Sequence, residues 1–243
     1  MLRTLKADLH IHTCLSPCGD LEMSPKAIAK QAQIREIDIL GVCDHNSAEN
    51  VSALIKAAGM YEISVLPGLE ITSQEEVHVL ALFDGLEPAL ELQEIIYSNL
   101  PGENDEDAFG LQVVVNEMGE VLRFNKRLLI GASTLTIEEV VEAIHALNGL
   151  AIASHIDREG FSLIGQLGFI PEHLALDALE ISPKISYEEA LAKFDPPFPL
   201  ICSSDAHFLE DIGSGFTSFY MEKATTDEIR RALLHEDGRR IIH

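Results

Sequence analysis

The residues best equipped for chemistry in this sequence are imidazoles and carboxylates gathered in short groups. Asp8-Leu9-His10-Ile11-His12 opens the series, and Cys43-Asp44-His45-Asn46, Pro67-Gly68-Leu69-Glu70 and His78 follow. Ser154-His155 and Ser204-Asp205-Ala206-His207 carry the pattern to the far end of the chain. Imidazole together with carboxylate is a ligand set for zinc, iron or manganese. Residues two apart on a strand share a face, so His10 and His12 can hold one ion, and Asp205 with His207 has the same spacing. An HxH pair alone says little, and a lone strand-end histidine such as His78 is usually an ordinary polar residue. The weight lies in the combination, which absorbs six of the ten histidines. His145, His173, His235 and His243 fit no group of this kind.

Such scattered residues need a scaffold that brings strand ends together. The chain reads as alternating strands and helices. Strands are expected at 5–10, 37–43, 63–66, 77–83, 151–154, 178–181, 200–203 and 218–221. Helices are expected from Pro25 to about Glu36 with Ser24 as cap, Ser47 to about Ala58, Pro88 to about Asn99, 137–147 and 226–234. Thr136 and Glu139 form a capping box, and Thr225 is the best cap for the last helix. Residues 101–131 break the rhythm with an acidic stretch and a hairpin around Asn116-Glu117-Met118-Gly119; this is an insertion over one face, serving as a lid or an oligomer contact. Repeated βα units predict a barrel-like α/β fold, whose C-terminal strand ends share one rim.

Composition limits the function. With 243 residues, 47% hydrophobic, one domain over 1–243 is expected. No run of about 18 apolar residues and no signal-peptide pattern occurs, which predicts a cytoplasmic chain without a membrane span. The 17 Lys and Arg against 40 Asp and Glu give a net charge of −23, which makes long nucleic acid an unlikely partner. A small anionic substrate remains compatible if bound cations invert the local field. Cys14, Cys18, Cys43 and Cys202 are too few for a disulfide scaffold and read as reduced thiols close to the motifs.

Taken in order from Ala7 to about Gly215, these motifs resemble the PHP family (polymerase and histidinol phosphatase). The resemblance implies a distorted (β/α)7 TIM-like barrel and a multinuclear site of two to three divalent ions (Zn, Mn or Fe) that cleaves phosphoesters. It implies that His10, His12, Glu70 and Asp205 hold one ion and position its hydroxide. Glu70 would bridge to a second ion completed by His78 and His155, and His45 and His207 would hold a third. The family usually has Ser-Asp-Gly about five residues after HxH; here the stretch reads Cys14-Leu15-Ser16-Pro17-Cys18-Gly19-Asp20. Counting back from Ser24-Pro25 assigns Asp20 as the remaining ligand, with Cys18 as the rival because a thiolate binds zinc well. Asp8 and Asp44 are expected to orient histidines rather than touch metal.

The chemistry implied is metal-assisted hydrolysis of a small phosphorylated substrate, a phosphomonoester, nucleotide or short oligonucleotide. Arg158 is the candidate phosphate clamp, and Lys184 a weaker one. Two other readings compete: an amidohydrolase-type C–N hydrolase on a related barrel, and a non-catalytic metal-binding module.

Overall fold

The structure, a computed structural model, describes residues 1–171 and 173–242. His243 lies outside the described residues. β1 (Arg3–Ile11), α1 (Pro25–Ile34), β2 (Ile39–Val42), α2 (Val51–Gly59) and β3 (Ser64–Thr72) form two parallel βαβ steps. The chain then turns within residues 73–77 directly into β4 (His78–Leu82), antiparallel to β3. α3 (Leu86–Ser98), α4 (Glu106–Phe109), β5 (Val113–Val115), β6 (Val121–Phe124) and α5 (Ile137–Ala146) lead to β7 (Leu150–Ala153), antiparallel to β4. α6 (Leu163–Leu167), β8 (Ala178–Ile181), α7 (Tyr187–Phe194) and β9 (Leu200–Cys202) extend a parallel run from β7. β10 (Thr217–Met221), α8 (Thr226–Leu233) and β11 (Arg240–Ile242) finish the chain, with β10 antiparallel to β1.

The strands make one nine-stranded sheet, ordered β11-β10-β1-β2-β3-β4-β7-β8-β9, and a separate β5-β6 hairpin. A bridge between Ile11 and Ala206 returns the segment after β9 to β1, so the sheet curls round and its two sides meet at one rim. The expectation of an α/β barrel is met as a curled mixed sheet. A (β/α)7 repeat is not how the strands run, because both pairings of β4 and both pairings of β10 are antiparallel. The cause at β4 is the connection of residues 73–77, too short for a crossover helix and long enough for a hairpin.

Period-two alternation separates two apolar layers. Leu40, Val42, Leu69, Ile71, Val79 and Ala81 pack under the helices with Ile28, Leu54, Leu92 and Ile144. Residues of the opposite parity, including Ile39, Leu66, Leu80, Leu82, Ile152 and Ala178, pack with Phe219 and with Ile229 and Leu233 of α8. This second face therefore has an apolar end stoppered by α8. Along it, Leu66 and Gly68 give way to Glu70, and Ala178 gives way to Glu180, so the other end is polar. β1 and β2 approach so closely that a Cβ at Gly41 would lie 2.2 Å from the Leu9 carbonyl oxygen.

Local signals largely hold. The Thr136–Glu139 capping box forms, and the Thr225 hydroxyl accepts from the Glu228 N–H. α2 starts at Val51, later than expected, because the residues before it serve the loops: the Asn50 amide donates to Thr13 Oγ1 and to the Val113 carbonyl. The Ser24 side chain makes no cap bond. α7, with a Ser186–Glu189 capping box, was not anticipated, nor were α4, α6 and β11. The insertion packs against this region, with Asn46 Nδ2 donating to the carbonyls of Leu129 and Gly131. No helix among the described residues is long and apolar enough to cross a membrane, and the four cysteines are free.

Candidate metal centre

Glu70 is the hub of the polar rim. It is 1% exposed, and one or other of its carboxylate oxygens lies within 3.4 Å of a ring nitrogen of His10, His12, His45, His78 and His155. Asp205 Oδ1 lies 3.2 Å from His10 Nε2 and 3.1 Å from His12 Nε2. Three overlapping groups have ligand atoms within 4.8 Å of one another: His10-His12-Glu70-Asp205, His45-Glu70-His78 and His12-His45-His207. His10, His12, Glu70 and His155 come from parallel-strand ends or just beyond them. His78 reaches the same rim by the opposite route, as the first residue of a reversed strand. Asp205 and His155 adopt left-handed backbone, with φ of 50° and 30°, a conformation costly outside glycine and concentrated at functional sites.

The ring orientations are set by partners away from the rim. His10 Nδ1 is 3.1 Å from Glu180 Oε1, and the same oxygen accepts from the His155 backbone N–H. A carboxylate only accepts, so His10 Nδ1 carries the proton and Nε2 faces the cluster. His12 Nδ1 is 2.9 Å from Ser16 Oγ, whose hydroxyl donates to Asp44 at 2.6 Å. The serine's one proton is committed to Asp44, so His12 Nδ1 must donate and its Nε2 also faces inward. Asp44 thus orients His12 through Ser16, as expected in kind. Asp8 does not orient a histidine: it accepts from Ser204 N–H, Ser204 Oγ and Gly213 N–H, fixing the loop that carries Asp205. Glu180 was missed by the sequence reading.

These donors fit metal ions. The two inward Nε2 atoms lie 3.1 Å apart, a separation that a shared cation between them would satisfy. His45 Nδ1, His78 Nδ1 and Glu70 Oε1 are buried without a hydrogen bond of proper geometry, although close to one another. Buried polar atoms left this way are expensive unless something else satisfies them. Burial alone would raise Glu70; the imidazoles of His78 and His10 outweigh it and hold the carboxyl well below its usual range. Burial likewise opposes the ionised form of Asp205, and His10 and His12 more than offset it. Burial, with His207 nearby, keeps His12 well below the ordinary histidine value, leaving a neutral ring able to ligate.

The remaining expected residues divide. Arg158 reaches the centre, with Nη1 2.5 Å from Asp205 Oδ2. It lines a pocket of about 210 Å³ together with Cys18, Ile130, Phe161 and part of the cluster, His10 and His12 lying behind its wall. Lys184 does not line that pocket; it lies in a neighbouring open groove that shares Arg158. Neither Asp20 nor Cys18 joins any of the three ligand groups; Asp20 Oδ1 accepts from the Glu22 N–H at 2.7 Å, closing a tight turn. Cys18 Sγ stands 3.1 Å from His207 Nε2. His145 pairs with Asp177, and His173 is exposed beside Glu138, both away from the rim.

A curled α/β sheet with a buried histidine–carboxylate cluster at one rim defines a metal-binding hydrolase scaffold. The chain belongs to the PHP family: the PHP domain model matches residues 8–117 and the PHP-associated model matches residues 196–237. A 5'-3' exoribonuclease of Haemophilus influenzae is 30% identical over 91 residues, which are 36% of this chain and only 32% of that protein. The lesion-specific endonuclease PfuEndoQ of Pyrococcus furiosus superposes with a TM-score of 0.68 at 19% identity, covering 98% of this chain and 58% of that one. An amidohydrolase of Chromobacterium violaceum, solved with bound SO4 and no metal, superposes at 0.58 with 21% identity, covering 85% and 89%. At these identities the two structures speak for the fold. With an endonuclease among its neighbours, the fold itself does not restrict substrates to small molecules.

Proposed function

We propose that this chain is a metal-dependent hydrolase of phosphoric esters with its centre at Glu70. The observation carrying the reading is one buried carboxylate within 3.4 Å of five imidazoles, with Asp205 completing the set. His10, His12, Glu70 and Asp205 would hold one ion, Glu70 with His78 and His155 a second, and His45 with His207 a third. Divalent ions in such a place supply Lewis acidity, acidifying a water and neutralising phosphate oxygens. The chain's own contribution is orientation. Glu180 and the Ser16–Asp44 pair fix the rings of His10 and His12, and Asp8 fixes the Asp205 loop. Arg158, a planar donor at the pocket wall, binds the non-bridging oxygens of the substrate. Phe161 stacks on His78 with ring centroids 4.7 Å apart and narrows the entrance.

The pocket's size and the chain's charge of −23 favour a small phosphorylated substrate, and the partial likeness to an exoribonuclease supports testing short oligonucleotides with phosphomonoesters. The test is metal content measured together with hydrolysis of aryl phosphate, histidinol phosphate, nucleotides and short oligonucleotides. Asp205→Ala and His155→Ala run alongside. Bound transition metal with activity that falls in both variants supports the reading. Metal binding with hydrolysis of cyclic amides and of no phosphate ester would move the assignment to the C–N hydrolases, whose representative shares the fold.

A further inference from the structure

We propose that Cys18 supplies a thiolate ligand to the metal position framed by His45 and His207, in the place where sequence spacing points to Asp20. The inference rests on the metal-centre reading above. The loop after β1 is wound through successive turns, with Ser16 N–H donating to the Thr13 carbonyl and Gly19 N–H to the Ser16 carbonyl. A Cβ at Gly19 would lie 2.7 Å from the Thr13 carbonyl oxygen, so only glycine allows the winding. The loop is then pinned where it matters: Asp20 N–H donates to the backbone carbonyl of His207 at 2.9 Å. That bond holds Cys18 against the His207 ring and turns the Asp20 carboxylate back to the Glu22 N–H.

The ring nitrogens agree. His207 Nδ1 is 2.9 Å from the Asp205 carbonyl oxygen, which only accepts, so the proton sits on Nδ1. His207 Nε2 therefore points a lone pair at Cys18 Sγ, 3.1 Å away. Beside them, the buried His45 Nδ1 lies 3.1 Å from Glu70 Oε2 without a hydrogen bond of proper geometry. Two imidazoles and a sulfur converging in this way form a ligand set of nitrogen and soft sulfur, suited to zinc and iron rather than manganese or magnesium. The other thiols face elsewhere: Cys14 Sγ is directed at the Val113 carbonyl and Cys43 Sγ at the Leu9 carbonyl.

The experiment loads metal-stripped full-length protein with cobalt(II) and records its absorption, for wild type, Cys18→Ser and Asp20→Asn. The expected result is a thiolate-to-cobalt charge-transfer band in the near ultraviolet for wild type and Asp20→Asn, absent in Cys18→Ser. X-ray absorption on the zinc form should show a sulfur scatterer at about 2.3 Å in the same two proteins. Cys18 is exposed, so Cys18→Ser should fold, and its unchanged circular dichroism would verify this. Visible cobalt bands without any charge-transfer band overturn the role of Cys18 and leave the metal centre standing. A band that survives in Cys18→Ser overturns it also. Failure to bind cobalt at all overturns the metal centre and this inference together.

Discussion

Glu180 and His10 meet at 3.1 Å although 170 residues separate them, and the same carboxylate oxygen takes the backbone N–H of His155. One side chain thus aims two residues of the cluster. Removing its charge while keeping its shape, in Glu180→Gln, should weaken metal affinity by about 10- to 100-fold, the usual effect of losing a partner behind a ligating histidine. Competition against a chromogenic chelator reads this directly. Unchanged affinity would mean that Glu180 is a packing residue.

Metal removal should destabilise the fold. A ligand present at about 100 times its Kd adds about 2.7 kcal/mol to the native state. Stripping the ions should therefore lower the melting temperature, and adding zinc or manganese should restore it. Asp205→Ala should lose this metal response. Identical melting curves with and without chelator would argue against bound ions.

Arg158→Ala should reduce kcat/KM on phosphate esters by about 10²-fold, the scale for loss of one positioned donor to a developing charge. Arg158→Lys should recover only part of this, since a point charge does not reproduce the planar fork. Steady-state kinetics on whichever ester the panel identifies is the measurement. Equal loss on uncharged amide substrates would assign Arg158 to holding Asp205 instead.

Acid stability should depend on Glu228. Hydrogen bonds from Arg239 outweigh its desolvation and lower this carboxyl below its ordinary 4.5, and it also accepts from the Glu222 N–H. A depressed folded value gives stabilisation that is complete above the unfolded value and fades as pH falls through the folded one. Glu228→Gln should therefore cost about 1.5–3 kcal/mol near neutrality and progressively less below pH ~4. Urea unfolding at several pH values reads the difference.

Gly41→Ala should destabilise by about 1–3 kcal/mol, because the added methyl must push β2 off the Leu9 carbonyl. Since β1 carries the two leading histidines, metal affinity should fall as well. Denaturation and chelator titration on the same sample would expose either exception.

Much of the centre was legible because its members sit in short motifs at strand ends. His10, His12, His45, Glu70, His78, His155, Asp205 and His207 all come to one rim. Glu180 was not legible, since Ala178-Leu179-Glu180-Ile181 reads as a plain buried strand and only the curl of the sheet brings it to His10. The direction of β4 depends on a five-residue connection that alternation alone does not interpret. Counting back from Ser24-Pro25 assigns Asp20 as a ligand with Cys18 as its rival; loop winding, which spacing does not reveal, turns the Asp20 carboxylate to the Glu22 N–H and sets Cys18 Sγ 3.1 Å from His207 Nε2. α7 does carry a legible signature, the Ser186–Glu189 capping box.

The Ile11–Ala206 bridge joins two segments that lie far apart in sequence. During synthesis His10 and His12 emerge long before Asp205, so β1 must wait for the segment that pairs with its end. β10, which pairs with the other half of β1, arrives later still. On the function proposed above, the full ligand set would exist only after the segment carrying Asp205 has been made, and a product ending before it would lack that carboxylate.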